Sequence, residues 1–274
     1  MKGTATLKII ISPAKKMNVT EDHPCKLTDP IFLDRALELH ARLKALDPAE
    51  LKDLWKCSQR LAEQNYERLH TYSPDRALTP ALLSYEGIQY QHISPRVFTD
   101  SQWEYVLSHL RILSGFYGIL APADRVIPYR LEMQAKLKTD KGADLYDYWG
   151  SSLYRELLLE GTTELVNLAS GEYSRAVLPW IAKDSSDNTG HLSASQLSAV
   201  SARPRCVTCI FGEIINGKVK MKGTQAKIAR GEMVRWMAEN QIEHAEEIVN
   251  FHELGYEFQK ELSTADEFVF VQLS

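Results

Sequence analysis

Three short polar clusters follow apolar or strand-like runs in this chain. They are Ser12-Pro13-Ala14-Lys15-Lys16, Pro128-Tyr129-Arg130-Leu131-Glu132 and Glu172-Tyr173-Ser174-Arg175. A lysine can serve as nucleophile or phosphate clamp, a carboxylate as general acid or base, and an arginine as anion anchor. In α/β sheets ligands bind beyond the carboxyl ends of strands. That rule predicts that Lys15, Arg130, Glu132 and Tyr173 share one cleft. A cleft with these residues would suit an enzyme acting on a nucleotide or another small anionic substrate.

The second concentration of chemistry is basic. Between Asn216 and Arg235 lie Lys218, Lys220, Lys222, Lys227, Arg230 and Arg235, opposed by Glu232 alone. The alternation Lys218-Val-Lys-Met-Lys222 places three cations on one face of a strand. Lys227 and Arg230 project from a helix whose apolar face is Ala226, Ala229, Met233 and Trp236. Lysines also protect exposed sheet edges. Yet the whole chain carries a formal charge of −4, and a single-sign cluster in an acidic protein favours an anion site. Lys15, Arg130, Lys222, Lys227 and Arg230 are therefore candidate phosphate contacts.

The segment Leu110-Arg-Ile-Leu-Ser-Gly115-Phe-Tyr-Gly118-Ile-Leu-Ala-Pro122 has the outline of a helix-hairpin-helix. Here an amphipathic helix would run into a glycine turn and a second helix. Glycine lets backbone amides approach a phosphate, and the second helix offers its positive N-terminus. In that outline Gly115 and Gly118 would shape the turn that meets DNA. The alternative is that Gly115 caps a helix and Gly118 makes a turn. The glycines are three apart rather than the usual two, and Pro122 removes an amide.

Other motifs fail their context tests. Gly212-Glu-Ile-Ile-Asn-Gly217-Lys218-Val219 lacks the hydroxyl a phosphate-binding P-loop needs and does not open a helix. Asn216-Gly217 reads instead as a hairpin turn, in which both positions need positive φ. Cys206-Val-Thr-Cys209 has β-branched company that argues for a strand, not the helix start a redox pair requires. The eight histidines show no paired metal spacing. His40 fits a structural place on a helix stripe. No metal and no cofactor are expected.

These side chains need a scaffold. The 274 residues are 44% hydrophobic and 25% charged, proportions of a globular domain large enough to bury a core without disulfides. Four scattered cysteines fit a reducing cytoplasm. No apolar run approaches the length of a membrane span or of a secretory h-region. Leu7 to Ser12 reads as a buried first strand. A helical pattern runs from Asp29 to about His70, with Asp47 as N-cap before Pro48. Thr99 or Asp100 caps a helix carrying Trp103, Val106, Leu107, Leu110 and Leu113. Further helices are predicted over Tyr146–Leu159 and Thr224–Glu239. Strands are predicted over Glu164–Leu168, Cys206–Ile215 and Lys218–Met221, with two more between Gly255 and Val271. Residues Asp184 to Ser201, rich in serine, read as an exposed loop. The expectation is one mixed α/β domain over residues 1–274, with a mixed sheet flanked by helices.

Several segments together resemble the YaaA peroxide-stress protein family. They are Ile11-Ser-Pro-Ala-Lys15, the block Leu110–Asp124 followed by Pro128-Tyr-Arg-Leu-Glu-Met133, Leu145-Tyr-Asp-Tyr-Trp-Gly150, Asn167-Leu-Ala-Ser-Gly-Glu-Tyr173, Lys227-Ile-Ala-Arg-Gly-Glu-Met233 and Gly255-Tyr-Glu-Phe258. They stand in family order and span nearly the whole chain. The resemblance implies a cytoplasmic protein, induced by hydrogen peroxide, that limits damage from unincorporated iron. It further implies a mixed α/β fold with a helix-hairpin-helix and a positive cleft that binds duplex or structured DNA. On that basis Ser114, Gly115, Tyr117 and Gly118 would be the hairpin. The serine-rich loop and the Cys206/Cys209 pair depart from the family pattern, so no role passes to them.

Overall fold

The computed structural model describes residues 6–183 and 203–273. The serine-rich segment 184–201 lies outside the described residues. Among them the main sheet has eight strands: β1 (Leu7–Ile11), β2 (Leu110–Ser114), β3 (Gly118–Leu120), β4 (Glu164–Leu168), β5 (Arg205–Ile215), β6 (Lys218–Lys220), β7 (Tyr256–Phe258) and β8 (Glu267–Gln272). Their spatial order is β7-β8-β5-β4-β1-β2-β3, with β6 paired to β5. The central five, β8-β5-β4-β1-β2, are parallel. β3, β6 and β7 are antiparallel additions. The sheet is therefore mixed, as expected.

Every residue of β1 is buried, which is why Leu-Lys-Ile-Ile-Ile shows no alternation: a central parallel strand is covered on both faces. Lys8 is tolerated there because its amine donates to the Ser108 carbonyl at 2.6 Å and lies 3.4 Å from the Glu160 carboxylate. Burial lowers its pKa. The strand is followed by Ser12 and then by Pro13, which has no N–H for a ladder.

The helices that matter for the site are α1 (Leu33–Lys44), α2 (Pro48–Trp55), α3 (Gln59–Thr71), α4 (Ile88–Ile93), α5 (Asp100–His109), α6 (Leu145–Trp149), α7 (Ser152–Leu159) and α8 (Gly223–Asn240). Two N-caps follow the sequence closely. Asp47 accepts the N–H groups of Ala49 and Glu50, with Pro48 at the first turn. Thr99 accepts from Gln102 in a reciprocal capping box. The span Tyr146–Leu159 is two helices, because Gly150 adopts φ +51 between them. Asn216 and Gly217 turn with φ 54 and 72, so the hairpin replaces any P-loop. His40 is buried and bonds the Leu69 carbonyl at 2.9 Å, a structural role.

One expectation is overturned. α5 ends at His109, and Leu110–Ser114 is a strand, paired in parallel with β1. Gly118–Leu120 returns antiparallel to it, so the segment is a β-hairpin and not a helix-hairpin-helix. Leu110 and Leu113 satisfy a helical stripe and a doubly covered strand equally well, and the open edge of β1 decides between them. Arg111 is carried into the interior and forms a 2.8 Å ion pair with Glu160.

Candidate functional site

The parallel core runs, in chain order, fifth-fourth-third-first-second. The order reverses between β1 and β4, and such a switch point leaves a crevice beyond the strand ends. A cavity of about 430 Å³ lies there, against Ser12 after β1 and Ser170 after β4. The Ser170 N–H donates to Ser12 Oγ at 2.8 Å, and the two hydroxyls are 3.2 Å apart. Lys15, Arg130, Glu132 and Tyr173, expected together from their strand-end positions, all line it, as do Lys227 and Arg230 of α8.

Glu132 organises one side. Its carboxylate lies 3.0 Å from the exposed Lys15 amine and 3.2 Å from the recessed Arg130 guanidinium. Arg130 is held in turn by the Trp55 carbonyl at the end of α2. A close approach fixes this loop to the sheet. A Cβ on Gly115 would stand 2.6 Å from the Leu131 carbonyl oxygen and 2.9 Å from the Glu132 carbonyl carbon. The glycine that ends β2 thus lets the Arg130–Glu132 loop lie directly against the turn. Opposite, Glu172 accepts the Gln134 N–H at 3.3 Å. Burial pushes its carboxyl pKa up, and the charge of Glu132 adds to the effect.

The tyrosines form a bonded wall. Tyr129 is hydrogen-bonded to Tyr85 and to Ser114, both at 2.7 Å, and burial pushes its pKa up to about 12. Tyr90 donates to the Ser12 carbonyl at 2.9 Å. The third wall exists because α8 packs tightly on α4. A Cβ on Gly231 would sit 2.3 Å from the Gln89 carbonyl oxygen. This contact sets Gln89 on the same cavity wall as Arg230 and Lys227.

The hairpin residues are placed elsewhere. Ser114, Gly115, Tyr117 and Gly118 are buried, and none of them lines the cavity. Ser114 reaches it only through Tyr129, while accepting the Phe116 and Tyr117 N–H groups. Gly118 has φ +77, but the space it frees is taken by Trp149 and Leu153, whose side chains a Cβ would meet at 2.7 and 2.9 Å. These residues support packing rather than a phosphate contact. Lys222 is exposed, pairs with Glu213 at 2.8 Å and does not line the cavity. Cys206 and Cys209 stand three apart on β5 and so point to opposite faces. Burial raises both pKa values, that of Cys206 to about 12. Sequence reasoning missed Gln89, Tyr90 and Ser170. Gln89 is recognisable only as a buried amide, and its burial depends on α8.

The chain matches the family described as peroxide stress protein YaaA over residues 7–262. The chain belongs to the YaaA peroxide-stress family. Three UPF0246 proteins show how far the likeness to YaaA relatives extends. The one from Pediococcus pentosaceus is 46% identical over 266 residues, 97% of this chain and 98% of its own. That from Desulfitobacterium hafniense is also 46% identical over 266 residues, with the same coverage. That from Agathobacter rectalis is 43% identical over 264 residues, covering 96% and 98%. The YaaA match takes in all five parts of the chain that line the cleft: the β1 and β4 ends, the Arg130 loop, α4 and α8. No helix among the described residues is long and apolar enough to cross a membrane.

Proposed function

We propose that this YaaA-family protein serves the peroxide response, in the cytoplasm, by binding a small phosphate-bearing ligand in the switch-point cleft. The observation that carries this is Arg230. Its guanidinium is largely buried, its Nε is sealed from solvent, and it has no hydrogen-bond or ion-pair partner among the described residues. Burial lowers its pKa. A buried cation without a counter-charge is costly, and a bound anion removes that cost. Lys227, one turn away and likewise free of a carboxylate among the described residues, stands beside it. Glu172 lines the same cleft, and burial raises its carboxyl pKa. The test is calorimetric titration with ribose 5-phosphate. Arg230→Ala is expected to weaken binding about tenfold or more, in line with a lost charged hydrogen bond, and Lys227→Ala less. Unchanged affinity in a folded Arg230→Ala variant removes the reading.

A second reading, binding of double-stranded or structured DNA, is favoured by the exposed Lys218 and Lys220 on β6 and by Lys227 at the cleft. It predicts a log–log salt slope of about −0.9 per neutralised phosphate. Lys218→Ala with Lys220→Ala would make that slope shallower by about two units, and an unaltered slope would exclude β6 from the contact. In either reading we propose that any limit on free iron is indirect. Among the described residues no group of three or more His, Cys, Asp or Glu is placed to hold a metal. One iron per chain surviving dialysis against a weak chelator would contradict this.

A further inference from the structure

We propose that the cleft ligand is a nucleoside monophosphate and that Gln89 reads the edge of its base. The inference rests on the phosphate reading above and extends it. Gln89 is 7% exposed and lines the cavity, yet its carboxamide makes no hydrogen bond among the described residues, and its Nε2 is buried without a partner. Buried polar groups are nearly always satisfied, and an exception calls for a reason. Arg230, on the same wall, is the other unsatisfied group facing this cavity. Two orphans of different chemistry ask for a ligand with two matching parts. An arginine beside Lys227, in a cavity that Lys15 also lines, asks for an anion. A carboxamide offers one donor and one acceptor in a plane, the pattern complementary to a nucleobase edge. Tyr90 and Tyr173 line the same space with aromatic rings, as suits a planar heterocycle. The cavity of about 430 Å³ lies within the range of small-molecule sites. A sugar phosphate would satisfy Arg230 and leave Gln89 unpaired, whereas a nucleoside would do the reverse.

The full chain is titrated calorimetrically with AMP, GMP, CMP and UMP, and with ribose 5-phosphate, which lacks a base. At least one nucleotide is expected to bind about tenfold or more tightly than ribose 5-phosphate, the scale of one well-made base contact. Gln89→Leu keeps the shape of the side chain and removes the amide. It should abolish that preference while leaving the affinity for ribose 5-phosphate unchanged, with a melting temperature no lower than that of the parent. The inference is overturned if all four nucleotides bind no better than ribose 5-phosphate, or if Gln89→Leu retains the preference. Those results leave the phosphate reading intact. That reading fails separately, if ribose 5-phosphate binds equally well to the parent and to Arg230→Ala.

Discussion

Replacing Gly231 by alanine sets two known effects against each other. Gly231 lies inside α8, where alanine favours the helix by about 1 kcal/mol. Against this, the new Cβ would stand 2.3 Å from the Gln89 carbonyl oxygen and 2.7 Å from His92 Cβ. Carbon contacts have their optimum near 3.5–4.0 Å, so α4 must retreat by roughly 1 Å. The oxygen belongs to the backbone and cannot rotate away. Overpacking of this kind costs about 1–3 kcal/mol and occasionally more, and a backbone clash belongs at the upper end. The net expectation is a loss of about 2 kcal/mol. For a chain of this size that lowers the melting temperature by about 3–4 °C. Gly223→Ala, at the start of the same helix with open space around it, is the control and should be neutral or slightly stabilising. Urea unfolding and thermal melting measure both. A melting temperature that rises in Gly231→Ala would refute the account of how α4 and α8 meet, and with it the placing of Gln89 beside Arg230.

Asp124 is buried and its pKa is raised to about 6, chiefly by desolvation. The folded state therefore holds its proton more readily than the unfolded chain, and the stability this supplies is lost as pH rises through 6. Against Asp124→Asn, the parent should lose about 1 kcal/mol between pH 5 and 7. A pH-independent difference in chemical denaturation would contradict the shift. Gly118→Ala and Gly118→Asp should both destabilise the fold, because both need φ +77 and press on Trp149 and Leu153; a Gly118→Ala variant melting like the parent would return that turn to the surface. Cys206 and Cys209, with raised pKa values and opposite facings, should form no mutual disulfide when the folded protein meets hydrogen peroxide. Peptide mapping that finds this bond would show that β5 is wrongly described.

Much of this protein was legible locally. The Asp47 and Thr99 caps, the Asn216-Gly217 turn and the unbroken apolar run of β1 each rest on contacts within a few residues. The strand-end rule holds for Lys15 and Tyr173, which follow the parallel strands β1 and β4; Arg130 and Glu132 line the same cleft for another reason, on a loop that packs against the turn after β2. Leu110–Ser114 could not be assigned locally. Its apolar spacing suits both a helix and a strand covered on two faces, and the free edge of β1, a hundred residues distant, settles the matter. The same holds for the glycines. Gly115 and Gly118 look alike in sequence as turn formers, but one admits the Glu132 loop and the other the Trp149 ring. Burial of Gln89 and Arg230 without partners is likewise a property of α8 resting on α4. Sequence chose the elements and the side chains at their ends. Only the packing of distant segments decided which polar groups lost water and were left in need of a ligand.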